Sequence, residues 1–190
     1  MDLYQHPKVK ITKLFSFPGA SLQISAQNGP DLMFCKLKAF KLKEDITLFT
    51  NKEMQEPLLN IKARQILDFS AAYDVYDSKS KEKIGAFKRH GWKSSLLKDH
   101  WSIMNQHDTV LGDITEDHVA LALLRRVILG SILPQNYNVS ISGDNISSMS
   151  RMPIINILNL DFSNDANRRL DRRLGIAAGV LLCVIEGMQN

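Results

Sequence analysis

Residues 174–187 read LGIAAGVLLCVIEG, the most apolar stretch of a 190-residue chain. The uninterrupted apolar run from Leu174 to Ile185 would make a helix of ~18 Å, whereas a bilayer core needs ~20 apolar residues. Arg172 and Arg173 close one end of the run and Glu186 the other, so no transmembrane span is expected. The run still leaves no polar face, and a helix that is apolar all round has to be enclosed on every side. Gly175, Ala177, Ala178 and Gly179 would let surrounding backbone come close. The rest of the chain must therefore build a container.

The material for it is strand. In LMFCKLKAFKLKEDITLFTN (residues 32–51), Cys35, Leu37 and Ala39 alternate with Lys36 and Lys38. The parity flips after Ala39 to Phe40 and Leu42, which marks a bulge. In PLLNIKARQ, Leu59, Ile61 and Ala63 alternate with Asn60, Lys62 and Arg64. The segments YDVYDSKSKEKIGAF (73–87) and WSIMNQHDTVLGDI (101–114) share a pattern: an aromatic, an aliphatic two residues on, an Asp or Asn opening a polar turn, then an aliphatic followed by glycine. Each reads as a hairpin, with Asp77 or Asn105 at the turn and Gly85 or Gly112 where backbones crowd. Tyr73, Val75, Trp101 and Ile103 then face inward, and Lys79 and Lys81 face solvent. YNVSISG and PIINILNLDF read as further strands.

Two stretches carry a helical period. One covers residues 116–129, with Thr115 as N-cap; the other is the terminal helix, starting near Asn167 and ending about 187. Many antiparallel strands with one all-apolar helix point to a closed barrel threaded by that helix, a closure that also removes exposed sheet edges. The expected fold class is mainly β (α+β), a single domain over 1–190.

Chemistry-bearing motifs are scarce. No Walker loop, G-x-G-x-x-G, G-x-S-x-G, H-E-x-x-H or paired C-x-x-C occurs. His107, Asp108 and Asp113 read as a solvated hairpin turn rather than a metal site, and Cys35 with His100 gives no nucleophile–base pair. Cys35 and Cys183 lie in apolar settings and read as buried thiols rather than a disulfide. No metal and no cofactor is expected. The first residues lack the apolar core of a signal peptide, so a cytoplasmic location is the expectation. With 24 basic and 20 acidic residues the net charge of +4 permits an anionic partner. Nucleic acid is disfavoured, because the aromatic–basic interleaving of base-stacking surfaces is absent.

The ordered set PLLNIKARQILDFSAAYDVYD, IGAFKR, W…LGDITED and LDRRLGIAAGVLL resembles the tubby C-terminal-like superfamily, nearest its LURP-one-related and phospholipid scramblase-like branch. The likeness spans about residues 20–187. It implies an antiparallel barrel of about twelve strands around a hydrophobic C-terminal helix. Tubby proteins hold phosphoinositide headgroups with a Lys-x-Arg pair ahead of a Phe-x-Val-Tyr-Asp strand. Here Lys62-Ala63-Arg64 precedes Tyr73-Asp74-Val75-Tyr76-Asp77. The calcium-binding acidic segment proposed for scramblases is not carried over, since Asp161, Asp165 and Asp171 are interleaved with Arg168, Arg169, Arg172 and Arg173.

The resemblance implies a non-enzymatic binding or scaffold domain, peripheral at a membrane, that engages an anionic phospholipid headgroup. Lys62 and Arg64 are its candidate contacts. Lys79, Lys81, Lys83, Lys88 and Arg89 form the supporting basic surface. Two other readings stay open: scramblase-like lipid transport, and a small-ligand carrier or enzyme using a barrel cavity.

Overall fold

The structure is a computed structural model that describes residues 3–16, 19–38, 45–64, 71–90, 100–117, 134–152 and 154–185. Twelve strands follow one another: β1 Lys8–Ser16, β2 Gly19–Ala26, β3 Asp31–Lys38, β4 Asp45–Phe49, β5 Pro57–Ala63, β6 Ala72–Asp77, β7 Lys83–Arg89, β8 His100–Met104, β9 Val110–Glu116, β10 Gln135–Ile141, β11 Asp144–Met152 and β12 Ile157–Asp161. Each pairs antiparallel with its sequence neighbours, and β12 pairs back onto β1 to close the ring. The helix α1, Arg172–Ile185, follows. The expected mainly-β closed barrel with a terminal helix is what the chain forms.

Strand alternation sorts the side chains as the period of two requires. Leu59 and Ile61 of β5 are buried while Lys62 is exposed. Tyr73, Val75, Trp101 and Ile103 are buried, and Lys79 and Lys81 lie in solvent. Both predicted turns are closed by their side chains. Asp77 Oδ1 accepts the backbone N–H groups of Lys79 and Ser80 at 2.9 and 3.0 Å. Asn105 Oδ1 accepts those of His107 and Thr109 at 2.9 and 3.0 Å. Cys35 and Cys183 are buried free thiols.

α1 has 14 residues, a length of ~21 Å, close to the ~23 Å of a seven-residue strand, so it spans the height of the ring. Every residue from Leu174 to Ile185 is buried. The helix enters at the end carrying the β6–β7 and β8–β9 turns, here the lower end, where Arg173 Nη1 meets Asp77 Oδ2 at 3.0 Å. Its last turn, at Cys183, lies within electrostatic reach of Lys13 and Arg151 at the upper end. Gly175 and Gly179 form the close-packed side. A Cβ on Gly175 would stand 2.6 Å from Phe162 Cε1, and one on Gly179 would stand 2.9 Å from Ile11 Cδ1.

Two helix boundaries differ from expectation. α1 begins at Arg172 rather than near Asn167. Arg168 has φ of 51°, a left-handed conformation that a right-handed helix does not admit. Residues 163–170 instead wrap around the buried Asp165, whose carboxylate accepts from the Arg169 and Leu170 amides and from Arg172 Nη1. Asp171 is the N-cap: its Oδ1 accepts the Arg173 amide at 2.9 Å, and its carbonyl accepts the Gly175 amide at 3.0 Å. Thr115 and Glu116 belong to β9, paired with Asn138 and Tyr137, and not to a helix start. Residues 118–129 of the expected helix, the parity flip at residues 39–40 and positions 186–187 lie outside the described residues.

The glycines distinguish two kinds of close contact. A Cβ at Gly112 would sit 1.8 Å from the backbone oxygen of Ser140, whereas at Gly179 the three nearest atoms are the methyl ends of Ile11, Leu160 and Leu158. Methyl ends can shift and a paired backbone cannot. Gly112→Ala is therefore expected to destabilise more than Gly179→Ala in urea unfolding. Gly179→Leu, which overpacks the barrel, is expected to cost ~1–3 kcal/mol or more. Equal, near-zero effects at both positions would contradict this packing.

Candidate functional site

The outward faces of β4, β5 and β6 line a groove of about 640 Å³, walled by Asp45, Thr47, Phe49, Pro57, Asn60, Lys62, Tyr76, Asp77, Ser78 and Lys81. Register brings them together. Asp45 pairs with Lys62, Thr47 with Asn60, and Asn60 with Tyr76, so one face of three strands presents these five. Asn60 Nδ2 donates to Asp45 Oδ1 at 2.6 Å and to Thr47 Oγ1 at 3.0 Å, which fixes the floor. Lys62 Nζ lies 5.9 Å from the centroid of the Tyr76 ring, within cation–π range. Lys81, held in the left-handed region with φ of 64°, approaches from the β6–β7 turn. Asp77 faces the groove, but its carboxylate already serves two turn amides and Arg173. Those contacts lower its pKa, the Ser80 amide most, against the opposing effect of burial.

Arg64 sits differently from Lys62. Its Nε and Nη2 donate to the two oxygens of Asp74 at 2.9 and 2.6 Å, a bidentate clasp, and Nη2 also reaches Asp108 Oδ1 at 2.5 Å. Lys83 Nζ contacts Asp74 at 2.9 Å and Asp108 at 2.7 Å. Two cations and two carboxylates thus close a neutral ring across β5, β6, β7 and the β8–β9 turn. Hydrogen bonding to Asp74 holds Arg64 more firmly protonated than usual. Burial by itself would raise the Asp74 pKa, but Arg64 and Lys83 outweigh it and the net shift is downward. Lys83, mainly, and Arg64 lower that of Asp108.

Of the seven sequence-predicted basic residues, the fold brings Lys62 and Lys81 to one groove and commits Arg64 and Lys83 to the ring. Lys79 is exposed on the same turn as Lys81. Lys88 is exposed near the other end of β7, and Arg89 lies 5.8 Å from the centroid of the Trp101 ring. His107, Asp108 and Asp113 do not converge. Asp108 belongs to the ionic ring, and Asp113 Oδ1 contacts His100 Nε2 at 2.8 Å. His90 stacks on His100 at 4.5 Å and contacts Ser102 Oγ at 2.8 Å, but Ser102 donates its proton to Asp113 at 3.1 Å. That hydroxyl is engaged with a carboxylate rather than activated by the imidazole. The sequence did not mark Tyr76, Phe49, Thr47 and Asn60 as site residues, nor the role of Asp74. Their signal was only outward parity, which says nothing until strand partners are known.

The ring carries a pH signature. Asp74 and Asp108 have folded pKa values below the ordinary 3.8, so their stabilisation is fully present above that pH and is lost as pH falls through the lower folded values. Asp74→Asn is expected to cost ~1–2 kcal/mol near neutrality, the lower range because Arg64 is partly solvated. The difference from the parent should shrink as the pH drops below about 4, tracked by urea midpoints. A pH-independent difference would show that the charge of Asp74 contributes nothing.

Comparison places this geometry among solved folds. No family model and no curated protein matches the sequence. A protein of Arabidopsis thaliana, solved by X-ray crystallography, superposes with a TM-score of 0.54 at 13% sequence identity, over 98% of this chain and 95% of that one. At that identity the likeness concerns fold alone, and the fold it supports is this whole-chain barrel rather than any particular chemistry.

Proposed function

We propose that the chain is a tubby-like barrel of the LURP-one-related kind. It acts without catalysis as a binding module for anionic phosphate-bearing headgroups at a membrane surface. The observation that carries this reading is the groove on β4–β6. It offers two lysines, Lys62 and Lys81, on a wall that also holds the aromatic faces of Tyr76 and Phe49 and the hydrogen-bonding ends of Thr47, Asn60 and Ser78. Two ammonium groups suit phosphate oxygens, while hydroxyl and amide groups suit a polyhydroxylated ring.

Arg64 enters with its guanidinium fork already filled by Asp74. Lys62 is therefore the member of the Lys62-Ala63-Arg64 pair carried forward as a headgroup contact, with Lys81 as its partner. Arg64 organises the adjacent wall. Lys79, on the same turn, adds longer-range attraction within a Debye length of ~8 Å at physiological salt.

Calorimetric titration with a soluble inositol polyphosphate tests the groove without a bilayer. Replacing Lys62 and Lys81 together by alanine is expected to weaken binding at least tenfold, at about 1 kcal/mol per cation, with unchanged thermal stability. Binding by the parent should fall as salt rises. An affinity untouched by the double substitution, or a parent that ignores the polyphosphate at low salt, overturns the reading.

A further inference from the structure

Seven large hydrophobic side chains are exposed among the described residues, and five of them, Leu14, Phe15, Met152, Ile154 and Ile155, belong to two neighbouring connections at the upper end of the barrel. β1 runs into Leu14 and Phe15, and β11 ends at Met152 just before Ile154 and Ile155. The two connections touch: the Lys13 amide donates to the Asn156 carbonyl at 2.9 Å, and Thr12 pairs with Ile157. Phe15 is 71% exposed, Ile154 68% and Ile155 54%, although the interior of this barrel excludes water from residues of the same types. Clustered aliphatic and aromatic tips on turns are uncommon on a surface that meets only water.

The charge around the cluster has one sign. Residues 9–26, 32–38 and 145–160, which cover nearly all of β1–β3, β11 and β12, contain Lys10, Lys13, Lys36, Lys38 and Arg151 and no Asp or Glu. Lys36 is exposed and shares a face with Leu14 through Ser21. Lys13 Nζ lies 5.4 Å from the centroid of the Phe15 ring, so a cation and an apolar tip emerge together. A second copy of the chain on this patch would set those cations against themselves, since a two-fold contact meets its own surface. An anionic bilayer accepts both features, the hydrophobic tips below the headgroups and the cations among them.

We infer that the upper end of the barrel is a bilayer-contacting edge that seats Phe15, Ile154 and Ile155 in the interfacial layer of an anionic membrane, flanked by Lys13 and Lys36. The inference shares with the proposed headgroup reading only the class of partner. The groove lies on β4–β6, and the apolar edge lies across the ring on β1, β11 and β12. Together the two surfaces would orient the barrel, with one end dipped into the interface and the side groove free for a headgroup.

The test uses vesicles of phosphatidylcholine containing phosphatidylserine. An environment-sensitive fluorophore is placed on Ile154→Cys or, at the lower end, on Val110→Cys. The native thiols stay unlabelled, because Cys35 and Cys183 are buried and burial pushes both pKa values up to about 12. The label at 154 is expected to shift to the blue on vesicle binding while that at 110 does not. Phe15→Ser with Ile155→Ser should weaken vesicle partitioning about tenfold and leave the affinity for soluble inositol polyphosphate unchanged. Four results each overturn the inference: a parent that does not partition, bound protein with an unshifted label at 154, equal shifts at both ends, or a dimer in sedimentation velocity that Ile154→Asp returns to monomer. If soluble-headgroup binding fails while the label at 154 still shifts, the groove reading falls and this one stands.

Discussion

The structure depends on enclosing α1. A helix with no polar side cannot be a surface element, and a single open sheet would cover only part of it. Closing twelve strands into a ring solves the burial of the helix and the exposure of sheet edges together. Closure also couples the ends of the chain. β1 and β12 exchange hydrogen bonds between residues 8–12 and 157–161, so the wall is complete only after almost all of the sequence has found its partners. The helix follows β12 and fills the space that this last pairing defines. Gly175 and Gly179 let it lie against Phe162, Ile11, Leu158 and Leu160, the side chains nearest the closing seam.

Charge is distributed along the axis of that helix. At its N-terminus stand Asp165, Asp171 and Asp77, each engaged by an arginine of the segment 172–173. Near its C-terminus stand Lys13 and Arg151, with carboxylates absent from the flanking strand segments. The arrangement complements the partial positive charge at the start of a helix and the partial negative charge at its end. Arg169 adds a further tie at the lower end, bonding Asp144 at 2.7 Å and the Ile141 carbonyl. The lower end is therefore knit by ion pairs and tight turns, while the upper end combines cations with exposed apolar tips. The polarity that orients α1 also separates a structural end from a surface suited to contact.

Much of the wall was readable in one dimension. The 73–87 and 101–114 hairpins, the inward set Tyr73, Val75, Trp101 and Ile103, and the turn roles of Asp77 and Asn105 all follow from period two and local turn chemistry. The start of α1 was not readable. Residues 167–170 have helix-compatible composition, yet a single buried carboxylate, Asp165, collects two amides and a guanidinium and holds the chain in a wrap before Asp171 can cap the helix. β9 hid its end in the same way: the residues of TEDH have the look of a helix start, but Thr115 and Glu116 are taken up by pairing with β10.

The sequence alone determined that α1 must be buried, that strands must surround it, and which parity of each central strand faces in. Those are properties of single segments, set by hydrophobic period and by the lack of any polar face. Only the tertiary structure decided what the outward side chains do. Lys62 and Arg64 look equivalent two residues apart on one strand. Cross-strand register gives Lys62 an aromatic neighbour and an open groove, and delivers Asp74, Asp108 and Lys83 to Arg64. The upper-end apolar cluster arises in the same way, from two connections far apart in sequence that ring closure makes adjacent. Outward residues take their meaning from neighbours on other strands, and those neighbours are fixed by pairing and closure rather than by local pattern.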